Sequence, residues 1–329
     1  MHPLNDVAVQ HSAGRDGRAS GDKSLKPEAN ARFSFLVREI GESGVETNWC
    51  TNMKYETLAP PALDYLPCRY EGSRTFFRGP KKPLVGEYVA FLGSSETYGK
   101  FVERPYVERI EDRIGTTCVN LGCVNAGIDV FLHDEDLGAV CQRAKMTVVQ
   151  VMGAQNMSNR FYSVHPRRND RFVKASVLMQ AIFNGIDFTD FNFTRHMLTS
   201  VQQRAPERFR VLRDELQEAW VARMRLLVRG LGSRVVLLWV GAEAPGTNSS
   251  ELANELAREP LFVTRDMIEK IRPHVEDVIE VPLSAHARAT GLTDMVFERH
   301  EEAAARLNLN VASHTEVAEL TAHRLQGML

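Results

Sequence analysis

Long apolar runs and an excess of charge of either sign are both missing from this 329-residue sequence. No stretch approaches the roughly 18 consecutive apolar residues of a membrane-spanning helix, so we expect no membrane span. The formal net charge of -2 gives no global electrostatic reason to expect nucleic acid or an acidic membrane surface as a partner. The first residues also lack the apolar core of a secretory signal.

Cysteine is scarce as well, with five residues and no pair at a Cys-x-x-Cys spacing. An odd number at these spacings is typical neither of a disulfide framework nor of a zinc site. Cys118 and Cys141 lie within apolar segments, which favours small buried thiols. We therefore expect a reduced, cytoplasmic protein with no metal and no cofactor.

Composition divides the chain into three regions. Residues 1–30 are rich in small and charged residues and have few large apolar side chains, which predicts a disordered tail. Residues 31–84 are rich in proline and aromatic residues, which predicts an irregular extension packed on the main body. Residues 85–329 form the main predicted domain.

Short apolar, β-branched runs occur within that domain without polar alternation, which predicts strands that are buried on both faces. They span residues 88–92, 117–121, 147–152, 234–240 and, more weakly, 277–281. Helical patterns separate them, at 206–229 before Gly230, at 264–272 after the N-cap candidate Thr264, and at 297–307. Alternating strands and helices predict a three-layer, doubly wound α/β fold with a largely parallel sheet.

Glycine and small polar residues follow each of the first three predicted strands. These segments are GSSETYG at 93–99, GCVNAG at 122–127 and GAQNMSN at 153–159. Ligands bind outside the carboxyl ends of the strands in such a sheet, so the three loops predict one site. Gly93, Ser94, Gly122 and Asn159 are its expected substrate-binding residues.

The GSSETYG turn is neither a Walker loop nor a dinucleotide fingerprint, because it lacks a Gly-Lys-Ser/Thr ending and a GxGxxG spacing. What remains is Ser95 on a sharp strand-to-helix turn, where backbone N–H groups can stabilise an oxyanion. Alternatively, Ser94 and Ser95 only cap the next helix.

Near the C-terminus, Ser313 to Glu316 has the S-x-x-E form of a capping box, which predicts His314 as the first residue of the last helix. A helix N-terminus disfavours imidazolium and keeps the ring neutral and able to accept a proton. The alternative is a solvent-exposed histidine in a helix cap.

These segments together resemble the SGNH (GDSL-type) esterase and acyltransferase superfamily. GSSETYG resembles its first block, Gly-Asp-Ser-Leu-Thr-Tyr-Gly, while residues 119–122 and 149–156 resemble the second and third blocks. His314 falls where the histidine of the last block belongs. The resemblance covers residues 87–329 in order and implies an SGNH-like α/β domain.

The resemblance implies that Ser95 is the nucleophile and His314 its general base. Asn156 would donate to the oxyanion, together with backbone N–H groups of Ser95 and of the second loop. The second-block glycine aligns with Asn125, or with Gly127 after a shift by two positions.

Several family positions differ in this chain, and the third block has an extra residue and no following aspartate. Ser94 replaces the aspartate of the first block, and Val311 replaces the aspartate that orients the histidine. Without that carboxylate the tautomer of His314 is no longer fixed. A carboxylate from elsewhere, a Ser–His dyad, or a site that no longer hydrolyses esters would each account for this.

The stretch YSVHPRRNDRF at 162–172 concentrates basic side chains just past the third loop. His165, Arg167 and Arg168 can clamp a phosphate, sulfate or carboxylate. The alternative is a solvated basic loop paired with Asp170 and Asp187.

The sequence therefore predicts serine-dependent acyl chemistry, by an O-acyl esterase or an acyltransferase, on a polar small-molecule or glycan substrate. The second hypothesis is a non-catalytic or differently catalytic module that binds an anionic ligand, such as a nucleotide-like donor or a sulfated or phosphorylated glycan. Substrate identity and oligomeric state stay open.

Overall fold

The structure is a computed structural model that describes residues 63–232, 234–241, 256 and 258–329. The predicted tail at 1–30 and residues 31–62 of the predicted extension lie outside the described residues.

The apolar runs form the strands of a parallel sheet. In chain order the strands are β1 (Tyr88–Gly93), β2 (Thr117–Gly122), β3 (Met146–Gln150), β4 (Tyr162–His165), β5 (Arg168–Ala175), β6 (Val235–Gly241) and β7 (Asp277–Pro282). All except β4 and β5 join one five-stranded sheet in the order β2-β1-β3-β6-β7, with every pair parallel. This confirms the predicted doubly wound α/β class.

Helices connect the strands and cover both faces of the sheet. They are α1 (Ser95–Tyr98), α2 (Tyr106–Ile114), α3 (Ile128–Leu132), α4 (Glu135–Arg143), α5 (Val177–Ile182), α6 (Thr194–Arg204), α7 (Pro206–Leu231), α8 (Arg265–Ile271), α9 (Ala285–Ala289), α10 (Glu302–Ala305) and α11 (Val311–Gln326). The hydroxyl of Thr264 caps α8 as predicted, since it accepts from the N–H of Met267 at 3.4 Å. No helix in the described ranges combines the length and apolar character needed to cross a membrane.

Alternating strand residues pack into two apolar layers. Leu92 of β1 faces the layer that contains Trp220 of α7, whereas Phe91 faces the layer formed by α2 and α11. Cys118 and Cys141 are buried as predicted, and burial raises the pKa of both thiols. The three predicted layers are therefore present.

The described part of the N-terminal extension, residues 63–84, contacts the main body through buried side chains. Tyr70 and Phe77 belong to the larger apolar layer. Arg78 is also buried and donates to the carbonyl oxygens of Gly99 at 2.8 Å and Glu103 at 2.6 Å. The extension thus bonds directly to the segment that ends α1.

Three local features differ from the sequence-based expectation. The 162–172 stretch is not an open loop: β4 and β5 form an antiparallel hairpin. The helix predicted at 297–307 shrinks to a 3-10 turn at Arg299–Glu301 and the four-residue α10, where only Ala305 is buried among the α10 residues. Without a continuous apolar stripe this segment has little tertiary packing to support a longer helix.

The third difference is at the last helix, where the predicted capping box is wrong. Helix α11 begins at Val311, and the side chain of Asn310 caps it by accepting from the N–H of Ser313 at 2.8 Å. Asparagine is among the strongest N-cap residues, so it takes the cap three residues before Ser313. His314 is therefore the fourth residue of α11 and not the first.

Candidate functional site

Ser95 lies where the strand order reverses. The chain leaves β1 for β2 on one side and then crosses to β3 on the other, and ligands bind at such switch points. Ser95 is the first residue of α1 and is 8% exposed. The turn therefore places a serine hydroxyl at the expected edge of the sheet.

Buried Gln150, the last residue of β3, holds this turn in place through three hydrogen bonds. Its Oε1 accepts from the N–H of Ser94 at 2.9 Å and from the hydroxyl of Thr97 at 2.7 Å. Its Nε2 donates to the carboxylate of Glu96 at 2.9 Å. A Cβ at Gly93 would overlap Thr97 and Gln150, so the first glycine of GSSETYG is needed for packing.

The hydroxyl of Ser95 bonds to Asn125, in the loop after β2. The backbone N–H of Asn125 donates to Oγ at 3.0 Å, and Oγ donates to Asn125 Oδ1 at 3.1 Å. Asn125 has a φ of 57°, a left-handed conformation that asparagine tolerates better than most residues. Ser94 makes no side-chain capping bond, so the serines do not merely cap α1.

Asp170, from the hairpin strand β5, extends this contact. Its Oδ2 accepts from Asn125 Nδ2 at 3.3 Å. A carboxylate can only accept, so the NH₂ group of Asn125 faces Asp170 and its carbonyl oxygen faces Ser95. Asp170 is a functional candidate that its place in the sequence does not reveal, because next to the arginines it is expected only as their counter-ion.

Asn156 supports the same loop. Its Nδ2 donates to the carbonyl oxygen of Asn125 at 3.3 Å, and its Oδ1 accepts from the hydroxyl of Thr194 at 2.7 Å. Asn156 thus lies next to the Ser95–Asn125 pair, and both ends of its side-chain amide bond to protein groups.

Gly122 and Gly127 lie at close backbone contacts. A Cβ at Gly122 would overlap the backbone nitrogen of Tyr98, and one at Gly127 would overlap the carbonyl oxygen of Asn156. Asn159 bonds locally, because its Oδ1 accepts from two backbone N–H groups at the start of β4. These three predicted site residues therefore shape the loops.

No hydrogen bond joins His314 to Ser95 among the described residues. The Nδ1 atom of His314 accepts from the backbone N–H of Tyr106 at 3.0 Å, and the two rings stack at 5.6 Å. Tyr106 is the first residue of α2, so His314 satisfies one of the N–H groups that a helix start leaves unpaired. The imidazole is 1% exposed, and burial, with Arg109 and Arg78 adding to it, lowers its pKa to about 3.

This contact also fixes the tautomer of His314. A neutral ring that accepts at Nδ1 carries its hydrogen on Nε2, so neither nitrogen has a lone pair available for the proton of a serine. Within the described part of the chain, the partner of the Ser95 hydroxyl is Asn125.

The predicted basic cluster lies at the turn of the β4–β5 hairpin. Arg167 and Arg168 are exposed and have no carboxylate partner among the residues the structure describes, and His165 Nδ1 accepts from the N–H of Arg167 at 3.3 Å. Buried Asn169 attaches the turn to the loop after β2, since its Oδ1 accepts from the N–H groups of Gly127 at 3.1 Å and of the first turn of α3.

Solved structures similar to this chain include lipolytic enzymes. A lipase/acylhydrolase from Enterococcus faecalis is 11% identical, with a TM-score of 0.37 over 74% of this chain and 97% of that chain. The lipase Lip_vut3 from a goat rumen metagenome is 11% identical, with a TM-score of 0.38 over 74% and 98%. A protein assigned to the G-D-S-L lipolytic family from Desulfitobacterium hafniense DCB-2 is 12% identical, with a TM-score of 0.34 over 72% and 99%.

At this level of similarity, the chemistry of the site rests on this chain's own residues. No curated protein matches the chain. One family model does, and it spans residues 53–329. The protein belongs to the family described as a domain of unknown function (DUF6473).

Proposed function

We propose that the protein carries out acyl-group chemistry at Ser95, as an O-acyl esterase or as an acyltransferase onto a polar acceptor such as a sugar. The observation that carries this proposal is the 3.0 Å hydrogen bond from the Asn125 N–H to Ser95 Oγ at the switch point of the sheet. An N–H fixed against Oγ stabilises the alkoxide that forms as the hydroxyl proton leaves.

The proposed reaction has two steps. Ser95 Oγ attacks the carbonyl carbon of an ester, the bond to the leaving oxygen breaks, and the hydroxyl proton ends on the leaving alcohol. Water or an acceptor hydroxyl then attacks the acyl-serine, and its proton returns to Oγ. Backbone N–H groups of the loops after the first strands would hold the oxyanion of each intermediate.

Slow turnover is part of this proposal. Among the described residues the Ser95 hydroxyl contacts an amide and no imidazole. Serine hydrolases that lose a member of their catalytic triad keep an acceleration of about 10³–10⁴-fold over water, from the oxyanion hole and binding alone. We therefore expect activated esters, such as p-nitrophenyl acetate, to react slowly and unactivated esters hardly at all.

A fluorophosphonate probe tests the nucleophile. We expect the wild type and Ser94→Ala to be labelled and Ser95→Ala to stay unlabelled, because only Ser95 lies against the Asn125 N–H. Ser94 is the matched control, since it is the neighbouring residue on the same turn and its side chain makes no capping bond. Equal labelling of the wild type and Ser95→Ala, or none in either, contradicts the proposal.

A second candidate function is an anion-binding module built on the same loops. It is favoured by the Asn125 amide, which takes the only hydrogen of the Ser95 hydroxyl but is too weak a base to remove it. The exposed guanidinium groups of Arg167 and Arg168 would then hold a nucleotide-like donor or a sulfated or phosphorylated glycan. An unlabelled wild type that sulfate stabilises through these arginines supports this candidate instead.

A further inference from the structure

Ser95, Asn125 and Asp170 form one chain of hydrogen bonds. Ser95 Oγ donates to Asn125 Oδ1 at 3.1 Å, and Asn125 Nδ2 donates to Asp170 Oδ2 at 3.3 Å. The three residues come from the turn after β1, the loop after β2 and strand β5, so tertiary packing is needed to join them.

The backbone of Asp170 is held in place on both sides. Asn169 is completely buried, and its side chain bonds to the N–H of Gly127 and to the carbonyl oxygen of His165. On the other side, Arg171 forms an antiparallel bridge with Phe193, and the N–H of Phe172 donates to the carbonyl oxygen of Asn192 at 3.1 Å. The carboxylate therefore meets Asn125 from a fixed strand and not from a free loop.

Asn125 has more freedom than its neighbours in this chain. It is exposed, and an exposed amide can rotate and exchange its partners with water. The charged partner at Nδ2 selects one of the two amide orientations, because only the NH₂ group can face a carboxylate. In that orientation Oδ1 meets the hydrogen of Ser95.

We propose that Asp170 is a positioning residue for Ser95 and acts through the Asn125 amide. A hydroxyl has one hydrogen and two lone pairs. Oδ1 of Asn125 takes the hydrogen and its N–H takes one lone pair, which leaves a single lone pair of Oγ in a fixed direction for an electrophile. This inference rests on the proposed acyl chemistry at Ser95.

The first test compares Asp170→Ala with Asp170→Asn in fluorophosphonate labelling. We expect Asp170→Ala to lower the labelling rate constant at saturating probe by about 10–100-fold, as for other small misplacements of a reacting group. The half-saturating probe concentration should not change. Asp170→Asn should lower the rate by less, because its amide oxygen can still accept from Asn125 but its NH₂ group no longer excludes the other orientation of the Asn125 amide. Exposed Asp190, whose side chain makes no bond within the described ranges, is the control as Asp190→Ala.

The second test reverses the direction of the hydrogen bond. Asn125→Asp alone sets two carboxylates face to face and should lower the labelling rate as Asp170→Ala does. Asn125→Asp combined with Asp170→Asn rebuilds the pair with donor and acceptor exchanged, and should restore the rate. Aspartate tolerates the left-handed conformation of position 125, and this pair of variants also serves if Asp170→Ala does not fold.

The outcomes separate this inference from the proposed function. Wild-type labelling rates in Asp170→Ala, with Ser95→Ala unlabelled, overturn the inference and leave the acyl chemistry standing. No rescue in the double variant assigns the loss in Asp170→Ala to something other than the orientation of the pair and also overturns the inference. An unlabelled wild type overturns both.

Discussion

The turn that carries Ser95 and the first turn of α11 that carries His314 both set a polar side chain against a backbone N–H, but in different surroundings. Ser95 lies at the carboxyl edge of the sheet beside exposed Asn125. His314 is buried between α2 and α11, where it accepts from the N–H of Tyr106. One contact borders solvent and leaves a lone pair of Oγ open, whereas the other satisfies a donor that water cannot reach.

This difference indicates a structural role for His314 and a reactive role for Ser95. An unpaired buried N–H costs about 1–3 kcal/mol, so the Nδ1 contact gives His314 a structural reason to be where it is. The Ser95 hydroxyl is paired in both directions with exposed Asn125, so it does not satisfy a buried backbone donor. We therefore expect changes at His314 to act on stability and changes at Ser95 to act on reactivity.

The largest expected effect is that of His314→Ala. It removes a buried ring and leaves the Tyr106 N–H unpaired, so we expect a loss of about 3–5 kcal/mol in the free energy of unfolding. Urea denaturation measures this loss. The labelling rate of Ser95 per folded molecule should change little.

His314→Asn is the matched control for that variant. Its Oδ1 is attached to the same side-chain atom as Nδ1, so it can accept from the Tyr106 N–H and should recover part of the lost stability. If His314→Ala keeps wild-type stability and Ser95 is no longer labelled, the structural role of His314 is wrong. His314 would then act as the base for Ser95.

The strands and the site at their ends could be predicted from local sequence. An apolar run followed by glycine and serine fixes where β1 ends, and parallel strands bring the segments that follow them to one edge. The contact between Ser95 and the Asn125 loop follows from those two facts. Neither depends on how the helices pack.

The surroundings of His314 and Asp170 could not be predicted in the same way. His314 meets Tyr106 across 208 residues of sequence, and only the packing of α11 on α2 decides that contact. Asp170 reaches Asn125 because β4 and β5 form a hairpin, whose alternation of buried Tyr162 and Val164 is short and lies next to a run of charges. A local pattern specifies an element, but not which distant element it meets.

A smaller effect is expected from pH. The pKa of His314 is lowered to about 3 in the folded protein from 6.5, so between those values the unfolded chain binds a proton that the folded chain does not. The stabilising effect of the buried neutral ring is therefore present above pH 6.5 and is lost as the pH falls towards 3. Between pH 7.5 and 5.5 this loss amounts to about 1.4 kcal/mol.

Urea denaturation of the wild type and of His314→Asn at these two pH values measures that difference. The other histidines contribute equally to both proteins. The difference between the two proteins in how their free energy of unfolding changes with pH therefore reports on His314. If the free energy of unfolding changes equally with pH in both proteins, His314 is protonated in the folded state. It then cannot have the structural role proposed for it.

The smallest expected effect is that of replacing Arg167 and Arg168 with alanine. Both lie exposed on the hairpin turn, and substitutions at such positions usually change stability by less than about 0.5 kcal/mol. If the substrate is a neutral ester, the change in stability should be equally small in sodium sulfate and in sodium chloride of equal ionic strength. Thermal unfolding of the wild type and the double variant in both salts measures this change in stability.

Sulfate stabilises most proteins by exclusion from their surface, so only the difference between the two proteins is informative. A sulfate-dependent stabilisation of the wild type that the double variant lacks would place an anion on the arginines, next to the loop that holds Asn125, and would favour the anion-binding module over the esterase.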